Sequence, residues 1–118
     1  MKILLIEDHE LLARATVCAL RELHHHQVEH VSTAAQAKEI TASQPFDLLL
    51  IDLNLPDMKG FELAAQLRQH ANLDQTIFVA LTGEDNVVGD ERLKTSGIDA
   101  CFTKPMDFEL LDRLRRRA

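Results

Sequence analysis

Five polar side chains stand where apolar runs of this chain end. Glu7 and Asp8 follow Ile3-Leu4-Leu5-Ile6, Asp52 follows Leu48-Leu49-Leu50-Ile51, Thr82 follows Ile77-Phe78-Val79-Ala80-Leu81, and Lys104 comes shortly after Ala100-Cys101-Phe102. Carboxylates crowded together repel one another unless a cation joins them. An all-oxygen ligand set with open positions suits a hard ion such as Mg²⁺. A divalent ion beside a carboxylate and a lysine is equipment for phosphoryl transfer. Asp52, alone at the end of its run, is the candidate nucleophile, and the adjacent Glu7 and Asp8 are the candidate metal pair. Lys104 and the metal would neutralise the equatorial phosphoryl oxygens, and Thr82 would supply a hydroxyl donor. Any one acidic residue in such a place is commonly a solvated loop residue; the reading rests on the set.

Bringing these residues to one rim requires a particular scaffold. The three strong apolar runs have the pattern of strands buried on both faces, and Gln27 to Val31 and Ala100 to Phe102 are weaker strands of the same kind. Between them lie helical spacings: Leu12, Ala15, Ala19 and Leu23; Ala34, Ala37 and Ile40; Phe61, Ala64 and Leu67; Phe108, Leu111 and Leu114. Alternating strands and helices imply right-handed crossovers and an α/β fold with a parallel sheet between helix layers. In such a sheet ligands bind beyond the carboxyl ends of the strands, where the five residues fall. Ser32-Thr33 offers a helix N-cap, Gln44-Pro45 a stop, and Gly60 a turn into the third helix. Val87-Val88-Gly89 in the interior of the fourth helix predicts low local stability there.

Length and composition narrow the class. With 118 residues the chain fits one domain, and 46% hydrophobic with 27% charged residues describes an ordinary soluble protein with a real core. Five Phe with no Trp or Tyr leave that core to Leu, Ile, Val and Ala. A net charge of -6 disfavours direct nucleic-acid binding. The terminal Arg113, Arg115, Arg116 and Arg117 read as cations complementing a helix C-terminus. No apolar run approaches a membrane span. Cys18 and Cys101 without a close-spaced pair or a signal peptide predict a reducing, cytoplasmic location. Cys18 is expected as a small core or boundary residue on the first helix. His24-His25-His26 with His30 is expected to be a solvated helix end with diverging side chains rather than a metal site.

Taken in order, Ile6-Glu7-Asp8, Leu50-Ile51-Asp52-Leu53-Asn54-Leu55-Pro56-Asp57-Met58-Lys59-Gly60, Leu81-Thr82-Gly83 and Phe102-Thr103-Lys104-Pro105 give the chain a specific resemblance. Over its whole length it resembles the receiver domains of two-component response regulators, of the chemotaxis type. The resemblance implies one receiver domain over residues 1–118, a flavodoxin-like (βα)5 three-layer sandwich. Its doubly wound five-stranded parallel sheet would have the order 2-1-3-4-5. It further implies a phosphorylation-dependent signalling switch, not an enzyme, that catalyses only its own phosphotransfer and autodephosphorylation. Asp52 would accept the phosphoryl group from a histidine kinase or histidine phosphotransfer protein. Asp8, Asp52 and the backbone carbonyl of Asn54 would bind Mg²⁺, with Glu7 acting mainly through water. Lys104 would pair with the phosphoryl group, Thr82 would switch toward it, and Lys104-Pro105 would be a cis peptide. Asn54 and Glu84, two residues beyond Asp52 and Thr82, would tune dephosphorylation. The face of the fourth helix, fifth strand and fifth helix would change toward a downstream effector domain or protein, and the resemblance also allows a phosphorylation-dependent homodimer.

Two positions depart from the family pattern. Receivers usually carry Tyr or Phe three residues before the lysine, and here that position is Cys101, with Phe102 expected on the opposite strand face. Without a ring to lock the inward state, activation is expected to be graded. Glu7 replaces the commoner Asp with a longer arm. Two other classes compete. An aspartyl-phosphate hydrolase usually places a second acid two residues after its nucleophile, where this chain has Asn54. A flavodoxin-like cofactor binder needs a phosphate loop, and the turn after the first strand is acidic instead. Met1 leading directly into the first strand favours a stand-alone or N-terminal receiver, and a receiver taken from a hybrid kinase would look the same.

Overall fold

The computed structural model describes residues 1–83 and 95–104, with Leu23 described by its backbone only. Strands β1 (Lys2–Ile6), β2 (Gln27–Val31), β3 (Leu48–Asp52), β4 (Ile77–Thr82) and β5 (Ala100–Thr103) form one parallel sheet in the order β2-β1-β3-β4-β5. Helices α1 (Glu10–Cys18), α2 (Ala34–Ser43) and α3 (Gly60–Leu67) connect the first four strands, α1 running on through a wide π-turn, Ala19–Leu23. The expected strands are all present, each within one or two residues of its apolar run. The fourth and fifth helices, Val87-Val88-Gly89, Glu84, Pro105 and the terminal arginines lie outside the described residues.

The sheet divides the core in two because side chains alternate along each strand. Leu4, Ile6, Leu49, Ile51, Phe78 and Ala80 pack with Ala34 and Ala37 of α2 and Leu63, Ala64 and Leu67 of α3. Ile3, Leu5, Leu48, Leu50, Val79 and Leu81 face the other way, toward Ala13 and Leu20 of α1 and its π-turn. Both faces of the sheet are thus covered, which is why β3 is buried at every position. Cys101 packs on the first side and Phe102 on the second, as the alternation predicts.

Thr33 caps α2, its hydroxyl accepting from the Gln36 amide, and Gln44 ends it. Four expectations need correction. The buried stripe of the first helix runs through Ala13, Thr16 and Leu20, not Ala15 and Ala19, because Thr16 donates its hydroxyl to the Leu12 carbonyl at 2.8 Å and so tolerates burial. Cys18 consequently faces solvent. His26 is 5% exposed rather than solvated, its Nδ1 lying 3.0 Å from the terminal nitrogen of Met1, and its ring lies 6° from parallel with that of His24. Gly60 is no turn residue but the first residue of α3, pressed against the backbone of Asp52 and Leu53.

The end of the sheet away from the acidic residues is fastened by Arg68. Its guanidinium lies 3.6 Å over the Phe78 ring, donates to the carbonyls of Gly97 and Leu73 at 2.8 Å each, and pairs with Asp99 at 2.7 Å. Asp99 in turn accepts from the Phe78 amide at 2.8 Å, so one side chain joins the end of α3 to the starts of β4 and β5.

Candidate functional site

The strand register sets the site. Ile6 stands opposite Ile51, Asp52 opposite Leu81 and Thr82 opposite Thr103, so the residues at or just beyond those positions meet at the carboxyl end of four adjacent strands. The β1 ladder extends to Glu7, whose amide donates to the Val31 carbonyl at 3.1 Å. Glu7 is 1% exposed and Asp52 4%, while Asp8 faces solvent. Each of the three carboxylates offers an oxygen within 4.8 Å of the other two, the only such acidic, His or Cys group among the described residues. The His24 to His30 run forms none.

Lys104 closes the cluster from β5. Its amide donates to the Thr82 carbonyl at 2.7 Å, and its ammonium lies 2.8 Å from Glu7 and 3.4 Å from Asp52. Burial alone would lower the pKa of this ammonium, but the hydrogen bond it donates to Glu7 and the charges of Asp52 and Glu7 outweigh it and raise the pKa. The Asp52 carboxyl is pushed the other way for an acid, upward from its ordinary value. Desolvation is the main cause, with the Glu7 charge adding to it, against the opposing pull of the Asn54 amide and Lys104. The site therefore holds more negative charge than one lysine settles.

Four predicted residues remain. Thr82 is 2% exposed at the end of β4, beside Lys104. Asn54 donates its amide to Asp52 Oδ1 at 3.0 Å, and its side-chain oxygen accepts from Lys59 at 3.3 Å, so it lies at the rim of the cluster. Cys101 is half-buried in the apolar layer three residues before Lys104, and burial pushes its thiol pKa up. Glu84 lies outside the described residues.

Sequence reasoning missed how the arms of the cluster are held. His9 caps α1 by accepting from the Leu12 amide at 3.2 Å, and its own amide donates to Glu7 Oε1 at 3.2 Å. His30 reaches the Glu7 carbonyl through Nε2 at 2.8 Å. Asp57 accepts from the amides of Ala34 and Ala35. The readable signal was the start of α2: Thr33 can satisfy one first-turn amide, which leaves others in need of an acceptor.

All-oxygen donors, three carboxylates and one solvent-facing member make a site that can hold a hard divalent cation. Comparison with known proteins agrees with this geometry. The family model of the response regulator receiver domain matches residues 3–115. The response regulator protein PmrA of Pseudomonas aeruginosa is 36% identical over 117 residues, covering 99% of this chain and 50% of PmrA. This chain spans half or less of the length of the curated relatives it matches. A response regulator receiver domain from Methylobacillus flagellatus superposes with a TM-score of 0.85 at 30% identity, covering 99% of this chain and 97% of that one. The receiver domain of the sensor histidine kinase PA1611 of Pseudomonas aeruginosa PAO1 has a magnesium ion coordinated in its active-site cleft. It superposes with a TM-score of 0.83 at 27% identity, covering 98% of this chain and 94% of that one. With its sheet order, its rim of acids and lysine and a family match over nearly its whole length, this chain belongs to the response regulator receiver domain family, the phosphoryl-accepting switches of two-component signalling.

Proposed function

We propose that Asp52 is the phospho-acceptor of this switch and that a histidine kinase or histidine phosphotransfer protein is its donor. The observation that carries the assignment is the single ammonium, Lys104, lying between two buried carboxylates at the carboxyl end of the sheet. A carboxylate oxygen of Asp52 attacks the phosphorus. One O–P bond forms and the N–P bond of the donor breaks, its electron pair returning to the imidazole nitrogen. Lys104 then leaves its carboxylate partners for the new phosphoryl oxygens, and the Thr82 hydroxyl donates to another. Asp8, Asp52 and the Asn54 carbonyl, with Glu7 nearby, would hold Mg²⁺, which would supply charge neutralisation for the transferring group. In the reverse direction water attacks the phosphorus, and the O–P electron pair returns to Asp52 with release of phosphate; Asn54 and Glu84, two residues beyond Asp52 and Thr82, tune the rate of that step.

Incubation with Mg²⁺ and a small phosphodonor, or with beryllofluoride, tests the assignment. One adduct on Asp52 is expected, and an adduct on any other residue overturns it. Mg²⁺ alone is expected to raise the melting temperature. At ten times its Kd the stabilisation is about 1.4 kcal/mol, which moves the midpoint of a domain this size by roughly 5 °C. An unchanged midpoint at millimolar Mg²⁺ counts against the acidic cluster as a metal site.

The output face and the cytoplasmic setting belong to the same proposal. No helix among the described residues is long and apolar enough to cross a membrane, and Cys18 and Cys101 are both free. With Cys101 where an aromatic ring would lock the switched state, activation is graded, and the effector contacts a face that includes β5. Cys101→Tyr is expected to increase the population switched by beryllofluoride, read from amide exchange across Thr82 to Ser96. An unchanged population shows that the missing ring is not the reason.

A further inference from the structure

The two arms of the acidic site are tied to the same corner, the junction of β2 and α2, although that corner supplies none of the proposed site residues. On one side, the Glu7 amide donates to the Val31 carbonyl at 3.1 Å, and His30 Nε2 donates to the Glu7 carbonyl at 2.8 Å. On the other, Asp57 at the tip of the loop between β3 and α3 accepts from the amides of Ala34 at 2.9 Å and Ala35 at 3.0 Å, through one oxygen each. These two bonds hold the Asp57 carboxyl below its usual pKa range, so it is ionised at neutral pH.

The start of α2 is thereby fully accounted for. Asp57 takes the first two amides, the Thr33 hydroxyl takes that of Gln36 at 3.1 Å, and the Thr33 carbonyl takes that of Ala37 at 3.1 Å. The loop carrying Asp57 is pinned at its neck as well, by Gly60 donating to the Leu53 carbonyl at 3.0 Å and by an antiparallel bridge between Asn54 and Lys59. Leu53 and Leu55 anchor it in the core, with Met58 packed against them. Asn54 thus lies between two fixed points, Asp52 on its strand and Asp57 bonded to the start of α2.

We propose that Asp57 is a positioning residue for the Mg²⁺ site. By fastening the loop to the corner that also holds Glu7, it fixes the Asn54 carbonyl relative to the carboxylates. This inference rests on the metal assignment made above. Asp57 contacts neither phosphoryl group nor metal, and it acts through the loop backbone. Helix α2 is thus joined to the loop that carries Asn54.

The test is titration of the 118-residue chain with Mg²⁺ alone, followed through backbone amide shifts of the Asp52 to Gly60 loop. Asp57→Ala is expected to weaken Mg²⁺ affinity on the order of tenfold, the scale on which residues supporting metal ligands act. Asp57→Asn, which keeps one acceptor oxygen, is expected to recover part of it and also serves if the alanine variant folds poorly. Thr33→Ala removes a cap from the same helix end without touching the loop, and is expected to lower the melting temperature while leaving Mg²⁺ affinity at the wild-type value. Wild-type affinity in Asp57→Ala overturns the proposal, as does an equal loss in Thr33→Ala, which would trace the effect to helix stability. A wild-type chain that does not bind Mg²⁺ overturns the metal assignment and this proposal with it, an outcome distinct from the other two.

Discussion

Asp52→Asn is expected to abolish the acyl-phosphate adduct and to raise the melting temperature of the unliganded chain. Loss of the adduct follows from chemistry, since an amide oxygen is a poor nucleophile and leaves no acyl phosphate to form. The gain in stability follows from electrostatics. Asp52 is 4% exposed, and its pKa is raised chiefly by desolvation and then by Glu7, so its ionised form is a net burden on the folded state. The amide is neutral, keeps an oxygen for the Asn54 amide, and leaves Lys104 paired with Glu7 at 2.8 Å. A gain of about 1 kcal/mol, the ordinary size of single-residue effects, corresponds to a rise of roughly 4 °C.

The sign of its pH dependence is fixed by linkage. The folded-state pKa of Asp52 lies above its value of 3.8 in the unfolded chain, so the folded protein takes up the proton first as pH falls. The destabilisation is fully present above the raised pKa and is relieved as pH drops through it. The advantage of Asp52→Asn is therefore largest near neutrality and shrinks on acidification toward 3.8. Melting curves of both proteins across that range measure it. An adduct retained in the variant, or a lower melting temperature at pH 7, would remove Asp52 from the centre of the site.

The strands were legible because burial on both faces leaves only apolar residues, and their ends were legible because the first polar residue is the first to reach the rim. The same logic leads to Glu7 with Asp8, to Asp52 and to Thr82, while Lys104 stands one residue past Thr103, the first polar residue of its run. What escaped were positions where a polar group is satisfied by a residue distant in sequence. Thr16 is buried because the Leu12 carbonyl takes its hydroxyl, which turned the inward face of α1 by one residue and left Cys18 outside. His26 is buried against the chain terminus, and Arg68 gathers partners as far away as Asp99. Asp57 looks like a turn residue in Leu55-Pro56-Asp57, and only the fold brings it to the start of α2. Periodicity records what is apolar; it carries no signal for which distant backbone group a buried or bridging polar atom will find.

Gly60 marks the same limit and gives the prediction with the largest effect on stability. A glycine before a helical run reads as a turn, yet of the described glycines only Gly97 has a positive φ, at +79°. Gly60 is glycine for space: a Cβ there would lie 2.5 Å from the Asp52 carbonyl oxygen and 2.7 Å from Leu53 Cα. Both neighbours are backbone, at and just past the end of a strand buried on both faces, and neither can swing aside as a side-chain tip would. Gly60→Ala therefore has to push α3 off the sheet or displace the end of β3. Overpacking of this kind costs about 1–3 kcal/mol, so the melting temperature is expected to fall by on the order of 10 °C. Because the atom struck is the carbonyl of Asp52 itself, the damage extends to function. The bond from the Gly60 amide to the Leu53 carbonyl, 3.0 Å long, closes the neck of the Asn54 loop, and it cannot survive a shift of either partner unchanged. The variant is thus expected to lose Mg²⁺ affinity and phosphorylation rate at temperatures where it is still folded. Calorimetry and Mg²⁺ titration on the same sample separate the two effects. A melting temperature within a degree or two of wild type would show that the helix yields without strain, and a destabilised variant with wild-type Mg²⁺ affinity would show that it yields away from the site.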